Sequence, residues 1–201
     1  NVHFSSIRDG SLGSAALSAA SGSTIDGGLE HTCAVTATGS VKCWGFNGYG
    51  QLGSSTGLGV DDPVPVPTEV TGLSGVVAIA AGDYHTCALL SVGTVKCWGY
   101  NYVGELGNST GTGTTTPQPT PLDVTGLTGV VAIAAGGFHS CALMDSGGVK
   151  CWGYNAYGQL GNATGTGSAN PYPVPADVAG LSGVVAITAA EYHTCALLGT
   201  G

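Results

Sequence analysis

Positive charge is scarce in this chain: Lys and Arg together number 4 in 201 residues, against 12 Asp and Glu, for a formal net charge of −8. A nucleic-acid-binding surface needs a basic stripe, so none is expected here. Charge of either sign is also thin, at 8% of residues, where an ordinary soluble domain carries about 25%. Helical bundles and coiled coils draw on the Glu, Lys and Arg that are missing. Long apolar runs are absent too: the longest, residues 76–81, falls far short of the ~20 residues of a spanning helix, so no membrane insertion is expected. The N-terminus, Asn1-Val2-His3-Phe4, shows neither an initiator Met nor an apolar signal core, as in a processed or excerpted chain. What is plentiful is glycine, 36 residues, within a chain that is 43% hydrophobic. Glycine at every third position would mean collagen, and no such run exists. Disorder is disfavoured by the apolar content. An all-β, turn-rich chain remains.

Self-similarity organises everything else. His31-Thr32-Cys33-Ala34 recurs 54 residues on as His85-Thr86-Cys87-Ala88, then as His139-Ser140-Cys141-Ala142 and His193-Thr194-Cys195-Ala196. Val41-Lys42-Cys43-Trp44-Gly45 recurs at Val95 and Val149, and Gly50-Gln51-Leu52-Gly53 recurs as Gly104-Glu105-Leu106-Gly107 and Gly158-Gln159-Leu160-Gly161. Each unit reads as four short strands. In the second unit, residues 76–80 form a β-branched run suited to a strand buried on both faces. Residues 85–90 and 94–100 flank the tight-turn signal Ser91-Val92-Gly93 and predict an antiparallel hairpin. A Gly/Thr/Pro-rich loop over 108–121 leads to an edge segment at 121–124, where proline is tolerated. Four-stranded units with this period predict β-propeller blades, about 3.7 of them in this length. Small residues such as Ala80, Ala81 and Gly82 suit strands converging on the axis; Trp44, Trp98 and Trp152 suit the outer wedge between blades. The repeats cover residues 19–201, with hairpins at 31–46, 85–100 and 139–154 and an incomplete one at 193–201. Residues 1–18 read as an N-terminal arm available to donate a strand.

The succession Gly-x-x-His-Thr-Cys-Ala-Leu, a Gly turn, and Cys-Trp-Gly-x-Asn-x-x-Gly-Gln-Leu-Gly resembles the regulator of chromosome condensation repeat. The resemblance implies a β-propeller, seven-bladed in the best-known members. It does not carry function across, since one fold hosts many. Relatives so implied include a nuclear exchange factor for a small GTPase, a plant ultraviolet-light sensor and a secreted β-lactamase inhibitor.

Seven cysteines resolve into pairs ten apart, Cys33/Cys43, Cys87/Cys97 and Cys141/Cys151, with Cys195 left over. A three-residue turn sets each pair directly opposite across its hairpin, near the short end of disulfide geometry. Disulfides there imply an oxidising compartment; the alternative is a pair of small buried thiols. The spacing is not a zinc signature. The partner of Cys195 falls at position 205, so the blade is completed either by further repeats of a longer array, by the N-terminal arm, or by a neighbouring molecule through strand addition.

No catalytic constellation emerges: nucleophile elbow, phosphate loop and paired carboxylates are all missing from the sequence. His31, His85, His139 and His193, one per blade, read as structural braces, with a metal-binding ring as the minority alternative. The tryptophans read as structural wedges and not as a light-sensing cluster. Asp61, Asp62, Asp83, Glu105, Asp145 and Glu191 read mostly as solvated loop charges, and Lys42, Lys96 and Lys150 as single solvated charges. Asn108 and Asn162 head glycosylation sequons in equivalent loops. The expectation is a non-enzymatic extracellular or cell-surface module, without cofactor or metal, that acts in structure or assembly. Its partners would be proteins, above all further copies meeting at incomplete terminal blades, as in a filament. The alternatives are a secreted inhibitor- or adhesin-like propeller and, opposed by charge and cysteines, an exchange factor or chromatin binder.

Overall fold

The computed structural model describes residues 23–200; the expected N-terminal arm at 1–18 lies outside them. Three four-stranded antiparallel sheets and one two-stranded sheet follow one another along the chain. The first holds β1 (Ile25–Gly27), β2 (His31–Val35), β3 (Val41–Gly45) and β4 (Val64–Glu69). The second holds β5 (Val76–Ala81), β6 (His85–Leu90), β7 (Val95–Gly99) and β8 (Gln118–Asp123). β9 (Val130–Ala135), β10 (His139–Met144), β11 (Val149–Gly153) and β12 (Ala176–Asp177) form the third, and β13 (Val184–Ala189) pairs with β14 (Thr194–Leu198). The described residues contain no helix. Each sheet is a propeller blade, ordered as the chain runs.

Local chemistry sets each hairpin. Between β6 and β7 the amide of Gly93 donates to the Leu90 carbonyl and that of Leu90 to Thr94. Gly93 takes φ = +77° there, a region other residues enter at a steric cost. The turn fixes the register, so Cys87 lies opposite Cys97, Thr86 opposite Trp98 and Ala88 opposite Lys96. The same register recurs in the first and third blades.

The outer strand starts earlier than expected, at Gln118 and not at residue 121. Pro119 and Pro121 occupy alternate positions and therefore face the same edge. Set outward, they leave the amides between them free to pair with β7. Pro65 and Pro67 repeat this spacing in β4.

The core lies between blades. Val41, Leu52 and Val70 of the first blade pack with Ile79, Ala88 and Trp98 of the second, all nearly or wholly buried. Leu106 and Val124 pack likewise with Val130, Ala142 and Trp152. An isolated blade would expose these faces, so stacking is what buries them.

Candidate functional site

Each blade junction repeats one hydrogen-bonded chain. His31 Nε2 lies 2.8 Å from Thr86 Oγ1 on the next blade, His85 Nε2 2.8 Å from Ser140 Oγ, and His139 Nε2 2.8 Å from Thr194 Oγ1. The Thr86 hydroxyl has a single proton and gives it to the Gln51 carbonyl at 2.9 Å. It therefore accepts from His31, whose proton must sit on Nε2. Ser140 and Thr194 donate in the same way to the carbonyls of Glu105 and Gln159. Burial disfavours the imidazolium, holding His31 and His139 down to about 4 and His85 to about 3. Neighbouring imidazoles add to the depression at His85 and His139. These are neutral side chains spanning pairs of blades, and among the described residues no group of three or more His, Cys, Asp or Glu gathers as a metal site.

Tryptophan completes the junction. Trp98 Nε1 donates to the Gln51 carbonyl at 2.9 Å and Trp152 Nε1 to that of Glu105 at 2.9 Å, and both indoles are fully buried. Trp44, on the first described blade, is only half-buried. Disulfides join Cys33 to Cys43, Cys87 to Cys97 and Cys141 to Cys151, each with a Cα–Cα separation of 4.1 Å.

The fourth blade differs. Cys195 is free and exposed, and among the described residues β14 pairs only with β13. The Gln159 carbonyl accepts from Thr194 at 3.0 Å. Its counterparts at Gln51 and Glu105 each accept an indole N–H as well. Beside Gln159 lies a cavity of about 330 Å³ lined by Tyr157, Gly161, Val178, Leu181 and Thr194. The atoms nearest a Cβ at the equivalent Gly107 belong to Val124 and Trp152, whereas the nearest at Gly161 belong to Val178. The cavity is thus the socket that an indole fills in the other junctions.

Three charge assignments change. Glu105 is not a solvated loop charge but is fully buried. It stands where the flanking repeats have Gln51 and Gln159, and its Oε2 accepts from the Val103 amide at 2.9 Å. Desolvation raises its carboxyl to about 8, only partly offset by backbone hydrogen bonds. At neutral pH it is mainly the uncharged acid, close in shape to glutamine. Lys96 and Lys150, in turn, pair with Asp123 at 2.8 Å and Asp177 at 2.7 Å across the outer strands. These pairs are exposed and add little stability.

Of the sequon asparagines, Asn108 is 8% exposed, its Nδ2 donating to the Leu106 carbonyl and its Oδ1 accepting from the Thr110 amide. Asn162 is half-buried and accepts from Thr164.

Sequence inspection missed an aromatic belt along one face. Phe46, Tyr100 and Tyr154 follow the Trp-Gly pairs, while Tyr84, Phe138 and Tyr192 precede the histidines. Their rings, with Tyr49, Tyr102 and Tyr157, approach in a series of mostly edge-to-face contacts with centroids 4.8 to 6.4 Å apart. The signal was present as aromatics at two fixed repeat positions, but strand reading alone does not bring those positions together.

The regulator of chromosome condensation repeat matches this chain over residues 38–89, 93–143 and 146–197, and a second form of it matches 23–51, 76–105 and 130–159. The mitochondrial RCC1 domain-containing protein RUG3 of Arabidopsis thaliana is 38% identical over 140 residues, 67% of this chain and 31% of that protein. The ultraviolet-B receptor UVR8 of the same plant is 32% identical over 180 residues, covering 87% and 38%. The chain spans about a third of the length of these relatives. Prp20p of Saccharomyces cerevisiae, whose structure was reported with its binding to Gsp1p and histones, shares the fold at a TM-score of 0.75 and 22% identity, over 86% of this chain and 42% of that one. Human WBSCR16 aligns at 0.71 with 27% identity, over 87% and 44%.

Proposed function

The chain belongs to the regulator of chromosome condensation repeat family, and on that premise we propose that it is a non-catalytic extracellular or cell-surface module that acts in structure and assembly through contacts with other protein chains. The observation that carries this reading is the disulfide across each of the three complete hairpins, Cys33 to Cys43, Cys87 to Cys97 and Cys141 to Cys151. The socket beside Gln159 fits an extended strand of this same repeat, from this protein or from another copy. Such a strand brings a Cys opposite Cys195, a Trp to the Gln159 carbonyl and backbone groups to the ladder. Three hairpin disulfides support an oxidising compartment. The relatives' names include a mitochondrial protein, so the compartment rests on the cysteines of this chain alone.

Sedimentation and electron microscopy of the 201-residue chain test the assembly. Concentration-dependent oligomers are expected, and monomers alone at all concentrations would overturn it. A peptide with the sequence of residues 94–100, supplied as its mixed disulfide with glutathione, identifies the edge. The Cys195 thiolate attacks the peptide sulfur, glutathione leaves as its thiolate, and the new Cys195–peptide disulfide caps assembly. The same peptide with Ala in place of Trp is expected to react more slowly and to leave assembly intact.

A secreted protein-binding role, inhibitor- or adhesin-like, is the second reading. The belt of half-exposed rings on one face favours it.

A further inference from the structure

The junction of the first and second blades departs from the repeat in a chemically directed way. A cavity of about 330 Å³ opens there, lined by Phe46, Tyr49, Tyr84, Glu30 and Asp61. The three rings meet edge to face: Tyr49 and Tyr84 at 5.1 Å between centroids, Phe46 and Tyr49 at 6.0 Å, Phe46 and Tyr84 at 6.3 Å. Gly48 makes this possible, since a Cβ there would collide with the Phe46 ring. The equivalent residue in the second repeat is Tyr102, and its ring stacks on Tyr100 instead.

The two acids are peculiar to this junction. Glu30 occupies the position held by Tyr84, Phe138 and Tyr192 in the later repeats, and Asp61 the position of Thr115 and Ala169. Both are exposed. Neither forms an ion pair among the described residues, and the lining contains no Lys, Arg or His. The phenol of Tyr84 is held above its ordinary value by desolvation first, then by the charges of Glu30 and Asp83. The site therefore combines negative potential with the negative faces of aromatic rings. That combination favours an organic cation and repels an anion.

We propose that this junction is a recognition site for an arginine side chain presented by a partner polypeptide. A guanidinium is planar, stacks on aromatic faces and offers donors in several directions, so one group satisfies a ring and both carboxylates. An ammonium is a compact, strongly hydrated charge and matches the rings less well. The site lies at the first junction, away from the β14 edge, and stands or falls independently of the assembly reading.

The test is a chemical-shift titration of the 201-residue chain with acetyl-Gly-Gly-Arg-Gly-Gly-amide. The same titration is run with peptides carrying lysine or neutral citrulline at the centre, and with tetramethylammonium ion. Millimolar binding of the arginine peptide is expected, at least tenfold weaker for citrulline and several-fold weaker for lysine and tetramethylammonium. The Glu30→Gln/Asp61→Asn double variant should weaken arginine binding at least tenfold. Asp123→Asn/Asp177→Asn changes net charge equally at a distance and should leave it within twofold. No binding to the unaltered chain, equal binding of citrulline, or an equal loss in the distant double variant would each overturn the proposal. Preferential binding of the free quaternary ion would overturn the arginine assignment.

Discussion

The imidazole of His31 donates from Nε2 to the hydroxyl of Thr86, 2.8 Å away on the next blade. That hydroxyl passes its own proton to the Gln51 carbonyl, so one residue of the second blade ties together two separate segments of the first. Because the chain is buried and each proton has one place to go, its parts are not interchangeable.

Replacing Thr86 by Val keeps the shape and removes the hydroxyl. A buried imidazole N–H is left without an acceptor, a loss of about 1–3 kcal/mol. Ser140→Ala should cost a similar amount, while Ser140→Thr, the residue used at the other junctions, should be tolerated. Urea midpoints measure all three, and an unchanged midpoint for Thr86→Val would show that the chain adds nothing to stability.

Acid and alkali should destabilise the fold through different residues. The histidines are depressed to about 4, 3 and 4, so their contribution is complete above about 6.5 and is lost as the pH falls towards those values. Glu105 is raised from 4.5 to about 8. Its contribution is complete below about 4.5 and is lost as the pH rises through 8. Glu105→Gln should therefore raise stability by about 2–4 kcal/mol at pH 9 and hardly alter it at pH 4. Urea titrations at both pH values decide this, and an equal gain at the two would contradict it.

Each disulfide closes a short loop, with the cysteines 10 apart, and removing one should cost about 2–3 kcal/mol. The Cys87→Ala/Cys97→Ala variant should melt lower but keep its strand signal in circular dichroism. Thiol titration of the denatured chain is expected to give one thiol before reduction and seven after. Seven before reduction would count against an oxidising compartment.

Glycine at position 82 is required by contact, not by backbone angle. A Cβ there would overlap the His85 ring and stand 2.5 Å from the Gly136 carbonyl oxygen of the next blade. Gly82→Ala should lower stability by about 2 kcal/mol or more. Gly126 has φ = +71° and nothing within 4 Å of such a Cβ, so Gly126→Ala should show only the smaller backbone strain of about 1 kcal/mol. Melting temperatures of the two variants separate the effects.

Much of the blade was legible because its causes are local. The turn at Ser91-Val92-Gly93 sets the register that brings Cys87 to Cys97, and alternation and β-branching mark the strands around it. The outer strand was misplaced because Pro119 reads as a break until the pairing edge is known. Glu105 was misread for a related reason. Its carboxyl oxygen meets the Val103 amide and its carbonyl takes the indole N–H of Trp152 on the next blade, and neither contact is signalled within Gly104-Glu105-Leu106-Gly107. The pairing of Lys96 with Asp123 likewise waits on where β8 lies.

Sequence by itself determined the repeat, its four-stranded unit, the hairpin registers and the partners of six cysteines, since each depends on residues within a turn or two of one another. Tertiary structure alone decided which hydroxyl meets His31, that Glu105 is held as an uncharged acid, and that Glu30 and Asp61 line one cavity with three rings. These arise where one blade is laid on the next. The residues involved come from distant parts of the chain, and burial between blades gives the contacts of His31 and Glu105 a strength that short-range patterning does not encode.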